Sequence, residues 1–184
     1  MAGLFPLMAA PDGFEYRDDM LSIDEERAIV EEIRRLDLKP FDFFGYEAKR
    51  RVASFGWRYD YGDRELKDAA EMPQFLTTLR SKVGNFAGID PEKLVMALVS
   101  EYAPGTPIGW HRDRPQFDEV VGVSLLSACN FRFRRKVGTK WERHKMTLEP
   151  RSMYVLRGPS RSEWEHSIPE VDELRYSITF RTLR

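Results

Sequence analysis

The stretch "EYAPGTPIGWHRDRP", Glu101 to Pro115, decides how the rest of the chain is read. The chain has three histidines, and one of them stands here two residues before an aspartate. On an extended segment the side chains at i and i+2 point to the same side. The imidazole of His111 and the carboxylate of Asp113 therefore converge on one point. A third ligand has to come from elsewhere, and His144 and His166 are the histidines available. His144 lies in the charged "KWERHKM", which suits the rim of a hairpin turning at Gly138-Thr139. His166 lies in "SEWEHSI", an apolar-flanked segment of strand character, and is the better candidate. Two histidines and one carboxylate occupy one side of an octahedral ion and leave three positions free, the pattern of non-haem Fe(II) oxygenases. An ordinary polar surface also produces such a triplet, so the pattern needs support from its surroundings.

Support comes from the C-terminal run "RYSITFR". Arg175, Ser177, Thr179 and Arg181 share one strand face, and Tyr176, Ile178 and Phe180 share the other. Half-exposed strands alternate in this way too. Two arginines on one face downstream of an iron site, however, suit a dicarboxylate held by charge-assisted hydrogen bonds. 2-Oxoglutarate is such a dicarboxylate.

From Leu94 onward the sequence is a series of short β-type runs separated by turn residues. "LVMALVSEY", "EVVGVSLLS", "NFRFRR", "RHKMTLE", "SMYVLRG" and "WEHSI" lead up to "RYSITFR". Upstream, "FEYRDDM" reads as a short strand. "SIDEERAIVEEIRRL" reads as a helix with Ser22 as N-cap and Glu25 completing a capping box. Its Ile29, Ile33 and Leu36 recur on one face, which packs on a sheet. "MPQFLTTLRSKVGNFAG" gives a second helix with the stripe Phe75, Leu79, Val83 and Phe86, and "RRVASFGWRYDYGD" gives strands around a tight turn. Helices followed by many short strands predict a mainly β, α+β fold: a sandwich, barrel or jelly roll with the N-terminal helices packed on its sheet.

The bulk properties set outer limits. The chain has 184 residues, a length that suits one domain. The 29 basic and 30 acidic residues nearly cancel, so the molecule as a whole is not a polyanion binder. Local clusters, Lys49-Arg50-Arg51 and Arg132, Arg134, Arg135 and Lys136, read first as solvated faces. The one cysteine, Cys129, excludes a disulfide within the chain and points to a reducing compartment and to packing. The opening "MAGLFPLMAA" lacks the basic flank of a signal peptide, and no segment is long and apolar enough to span a bilayer. A cytoplasmic monomer is expected.

In combination, "EYAPGTPIGWHRD", "GVSLLS", "LEPRSMYVLRGPSRSEWEHSI" and "RYSITFR" resemble the AlkB-like branch of the Fe(II)/2-oxoglutarate-dependent dioxygenases. They come in that family's order and cover most of residues 94–184. "KRRVASFGWRYDYGD" resembles its substrate lid. The resemblance implies a double-stranded β-helix, or jelly roll, over 94–184, with helices and lid over 1–93 in the same domain. It implies iron held by His111, Asp113 and His166, and 2-oxoglutarate held by Arg175 and Arg181 with help from Tyr102. Ser100 and Ser177 stand where family members often carry asparagine, and their hydroxyls reach less far. With O2 the implied reaction is hydroxylation of a C–H bond, and a methyl on nitrogen hydroxylated in this way is lost as formaldehyde.

The family's best-known substrates, alkylated bases in DNA or RNA, have to leave the base stack to react. Trp57, Tyr59 and Tyr61 offer a stacking surface. Lys49, Arg50 and Arg51 are placed to meet phosphates. Pro115 stands where many base-demethylating relatives carry an acid, with Asp118 or Glu119 nearby as substitutes. Hydroxylation or demethylation of a protein or small molecule stays open, as does a non-catalytic jelly-roll binding module. Trp110 and Trp164 read as core packing that fixes the ligand strands, and Arg161 as structural or substrate-facing.

Overall fold

Ser22 begins the first helix as its sequence requires. Its hydroxyl accepts from the Glu25 amide, and the Glu25 carboxylate accepts from the Ser22 amide. The computed structural model describes residues 10–43, 46–60 and 62–184, with the side chains of 43, 46 and 47 excepted. Tyr61 and nearly all of the opening segment lie outside the described residues.

The elements run β1 (Phe14–Arg17), α1 (Ile23–Arg34), β2 (Lys39–Phe43), β3 (Tyr46–Phe55), β4 (Trp57–Asp60), β5 (Glu65–Asp68) and α2 (Gln74–Ala87). They continue with β6 (Met96–Tyr102), β7 (Ile108–His111), β8 (Phe117–Leu125), β9 (Cys129–Val137) and β10 (Lys140–Leu148). β11 (Ser152–Leu156), the single turn α3 (Pro159–Ser162), β12 (Glu165–Ile168) and β13 (Arg175–Leu183) complete the chain. Seven strands form the large sheet in the order β1-β11-β8-β13-β6-β3-β2. Four form the small sheet in the order β10-β9-β12-β7, and β4 pairs with β5 alone. Among the described residues all the strand ladders are antiparallel.

The large sheet buries both faces. On one face Val99, Val123, Val155, Ile178 and Phe180 pack against Val30 and Ile33 of α1 and Leu76, Leu79 and Val83 of α2. On the other, Tyr102, Val120, Tyr154 and Leu156 meet Phe131, Phe133 and Leu148 of the small sheet, with Trp164 and Ile168. This layering is the expected jelly roll with helices on its sheet. The expected hairpin also forms, with Val137 opposite Lys140 and Gly138 at φ +59° in the turn. The four-residue strands β5 and β7 and the edge strand β2 were not marked in the sequence reading. Each is short, and β2 carries Pro40, so periodicity is weak there.

Cys129 is free and buried, and burial pushes its thiol up from the ordinary value. Among the described residues no helix is long and apolar enough to cross a membrane.

Within the large sheet the Tyr154 side chain of β11 lies across Gly122, its register partner on the neighbouring strand β8. A Cβ there would sit 2.1 Å from the Tyr154 ring. Gly122→Ala is expected to destabilise the protein by about 1–3 kcal/mol through overpacking, read as a lower urea midpoint at unchanged slope.

Candidate functional site

The small sheet brings the two histidines together. His111 ends the edge strand β7 and lies directly opposite His166 on β12, with ring centroids 4.3 Å apart. Asp113 follows just past the strand. Its Oδ1 lies 3.8 Å from His111 Nε2 and 3.7 Å from His166 Nε2. One ligand atom from each of the three falls within 4.8 Å of the others. His111 is oriented by its own strand, because its Nδ1 lies 2.8 Å from the Gly109 carbonyl. Donation there leaves Nε2 with a free lone pair, the usual outer support of a metal-binding histidine.

Protonation states match. Burial pushes His166 down to about 3, with the His111 ring adding to the effect, so it is neutral and able to ligate at neutral pH. Burial alone would raise Asp113, but Arg181 and the two imidazoles outweigh it and hold the carboxyl well below its ordinary range. Asp113 and His166 are enclosed, at 5% and 10% side-chain exposure, while His111 at 35% marks the open side.

Behind the triad, strand pairing assembles a polar wall. β13 lies between β6 and β8, with Arg175 opposite Tyr102 and Ser177 opposite both Ser100 and Ser124. Arg175, 1% exposed, donates from Nε to Ser124 Oγ at 3.1 Å, and its Cζ lies 5.0 Å from the centre of the Tyr102 ring. Its Nη1 is buried without a partner among the described residues. A buried guanidinium N–H without an acceptor is costly, and a ligand carboxylate in the adjoining cleft would satisfy it. The donor set thus fits a carboxylate ligand beside a divalent ion.

Arg181 is already engaged. It donates from Nε to Asp113 Oδ2 at 2.5 Å and from Nη1 to Thr179 Oγ1 at 2.9 Å. It therefore turns the other Asp113 oxygen toward the histidines.

The Lys49-Arg50-Arg51 run divides between the cleft and the surface. Arg50 is buried, not aimed at phosphates. Its Cζ lies 4.5 Å from the centre of the Phe41 ring and 6.0 Å from that of Tyr102, and it lines the same cleft. Burial would raise the Tyr102 phenol, but the guanidiniums of Arg50 and Arg175 outweigh it and hold it below its usual value. The signal was available, because adjacent residues of one strand face opposite ways, so one of Arg50 and Arg51 had to face inward. Arg51 takes the other side. It bonds Glu101 at 2.9 Å and the Leu38 carbonyl at 2.9 Å, and the structure does not bring it to the cleft.

Trp57 and Tyr59 pack on Met96, Leu98 and Phe117, and Leu98 also lines the cleft. The Arg114 guanidinium lies 4.9 Å over Tyr59. Asp118 and Glu119 are paired with Arg184 and Arg157. Arg161 is structural, bonding the carbonyls of Arg114 and Phe117. Trp164 is core as expected, but Trp110 is not. It stands on the outer face of the small sheet between Arg132 and Arg134.

A jelly roll with a metal-competent trio at its mouth and buried guanidiniums behind defines a class, the Fe(II)- and 2-oxoglutarate-dependent oxygenases. The profile of the 2OG-Fe(II) oxygenase superfamily matches residues 24–181, and the chain belongs to that family. It is similar to the "Alkylated DNA repair protein ALKBH8 homolog" of Arabidopsis thaliana, at 28% identity over 74% of this chain and 47% of that protein. It is also similar to the "tRNA (carboxymethyluridine(34)-5-O)-methyltransferase ALKBH8" of Mus musculus, at 27% identity over 88% of this chain and 25% of that one. The chain thus spans less than half the length of these two relatives. Among solved structures, "The structure of OsALKBH1" shares the fold with a TM-score of 0.69 at 18% identity, covering 96% of this chain and all of that one.

Fe(II), 2-oxoglutarate and O2 are the cofactor and cosubstrates of the family. His166→Ala is expected to weaken Fe(II) binding by more than the ~10–100-fold that loss of an outer partner costs. Anaerobic calorimetric titration measures this, and unchanged affinity would remove His166 from the ligand set.

Proposed function

We propose that residues 1–184 act as one domain that oxidatively dealkylates nucleobases in DNA or RNA. The segment 1–93 supplies helices and lid, and 94–184 the catalytic core. The observation that carries the reading is the aromatic wall of Trp57 and Tyr59, with Arg114 stacked on Tyr59, joined to the metal-competent cleft through Leu98. A flipped base needs a flat apolar surface beside the reacting atoms, and a cation at the rim suits its phosphate. The names of the Arabidopsis and mouse relatives, one for alkylated DNA and one for tRNA, support the same substrate class. A cytoplasmic, monomeric setting belongs to the proposal, supported by the single buried cysteine.

In this reading His111, Asp113 and His166 hold the ion. Arg175 takes the far carboxylate of 2-oxoglutarate through its unpartnered N–H, beside Tyr102, Ser177 and Ser100. Arg181 holds Asp113 in its ligating orientation, and Arg50 adds a third cation at the Tyr102 end. The bound ion with 2-oxoglutarate and O2 supplies oxidation of a C–H bond, with succinate and carbon dioxide as coproducts. The protein's share is to fix the ligands, exclude water with the Phe131, Leu156 and Ile168 side of the cleft, and aim the alkyl carbon at the open side.

Formaldehyde released in step with succinate from N-methylated oligonucleotides is the expected result. Succinate formed only when peptide is added, across a broad lesion panel, would replace the proposal with a protein hydroxylase. Arg50→Met is expected to raise the KM for 2-oxoglutarate at least ~10-fold, the loss of one charged hydrogen bond, with Fe(II) affinity retained. An unchanged KM would exclude Arg50 from the cosubstrate site.

A further inference from the structure

The outer face of the small sheet is built unlike the rest of the surface. β9 turns Phe131 and Phe133 inward and Asn130, Arg132, Arg134 and Lys136 outward. β10 answers in register with Thr147, Lys145, Arg143 and Trp141. Arg143 therefore stands directly opposite Arg134, and Lys145 opposite Arg132. Like charges directly opposite on an antiparallel pair repel and weaken it. On this face Glu165 of β12 compensates Arg134 through its Nε at 2.5 Å. Among the described residues, Arg132, Lys136, Arg143 and Lys145 form no ion pair with a carboxylate. The chain's net charge is −1, so this positive density is local.

The same face carries a row of flat groups. Arg134 lies 4.5 Å from the ring centre of Trp110 on one side and 4.5 Å from that of Trp141 on the other. Arg132 covers Trp110 as well, at 5.0 Å. Trp141 is 41% exposed, so one end of the row is open to a further flat partner. Four cations without a carboxylate partner call for a polyanion, and an exposed indole beside stacked guanidiniums calls for one that carries planar groups. A lipid surface supplies the charge without the planes. A duplex hides the faces of its bases, whereas single strands expose them.

We infer that this face binds single-stranded nucleic acid. Bases stack on Trp141 and the guanidinium-indole row, and phosphates meet Arg132, Lys136, Arg143 and Lys145. Trp110 precedes His111 on the edge strand β7 and faces the opposite side of the sheet, so this face reaches the same rim at which the triad lies, and a strand held here turns over that rim to enter the cleft. In that sense the inference rests on the nucleic-acid reading of the site and adds the surface that holds the flanking strand.

The test uses the full chain and labelled, unmethylated oligo(dT) and oligo(U) of about a dozen nucleotides, the scale of one binding module. A duplex and phosphatidylserine vesicles serve as further arms. Anisotropy over a range of salt should give single-strand binding tighter than duplex, and preference for either sugar supports the proposal. Arg143→Ala/Lys145→Ala should lower the salt slope by about 1.4, two charges at ~0.7 each. Trp141→Ala should weaken single-strand binding at least ~5-fold, with Trp141→Phe retaining most of it. All these changes are on exposed side chains, and unchanged urea midpoints confirm folding. Variants that bind as wild type, or vesicles and duplex bound as tightly and unaffected by Trp141→Ala, would overturn the proposal.

The two readings fail separately. If oligonucleotides bind with this variant sensitivity but methylated ones release no formaldehyde, the substrate reading falls and the binding face stands. If methylated oligonucleotides react while the face variants bind and turn over as wild type, the face falls and the substrate reading stands.

Discussion

The ion pair between Arg181 and Asp113 constrains the whole interior. It places two charges between the sheets, where unpaired charge is strongly disfavoured, and it sets which carboxylate oxygen faces the histidines. Arg175 and Arg50 add two more buried cations to the same cleft without adding an anion. A cavity with this excess of positive charge is poorly satisfied by water and well satisfied by a small dianion. The same imbalance that weakens the interior on its own suits the cleft to an anionic ligand.

The large sheet tolerates such a cleft because its other face is conventional. β13 sends Arg175, Ser177, Thr179 and Arg181 into the cleft and Tyr176, Ile178 and Phe180 into the helices. One strand thus anchors the fold with one set of side chains and builds the site with the alternate set. Moving its register by one residue would exchange the two sets. The seven paired residues that join it to β6 hold that register in place.

Much of this was legible because the informative strands are long and strictly alternating. β13 declared its faces, and the helix beginning at Ser22 declared its cap. The triad was legible because residues two apart share a side and because His166, unlike His144, sits among apolar neighbours. His144 in fact packs near Phe133 and is not part of the triad. What escaped was phase on short or polar strands. Arg50 looked like part of a charge run, because nothing in three consecutive basic residues says which one faces inward. Trp110 was assigned to the core because large aromatics usually belong there, although its adjacency to inward-facing His111 required it to face out. Arg181 was matched to the cosubstrate alone, since sequence cannot show that Asp113 lies within its reach.

Among the described residues, strand β7 sits at the rim of the small sheet with one backbone edge unpaired. Pro107 stands before it and Pro115 a few residues after it. Proline lacks the amide that a docking strand would need, and the strand itself is only four residues long. An intruding chain therefore finds little to zip onto at the place where metal-binding chemistry needs open access. Rigid punctuation on both sides keeps the doorway from being closed by self-association, without any bulky guard that would also turn away the substrate.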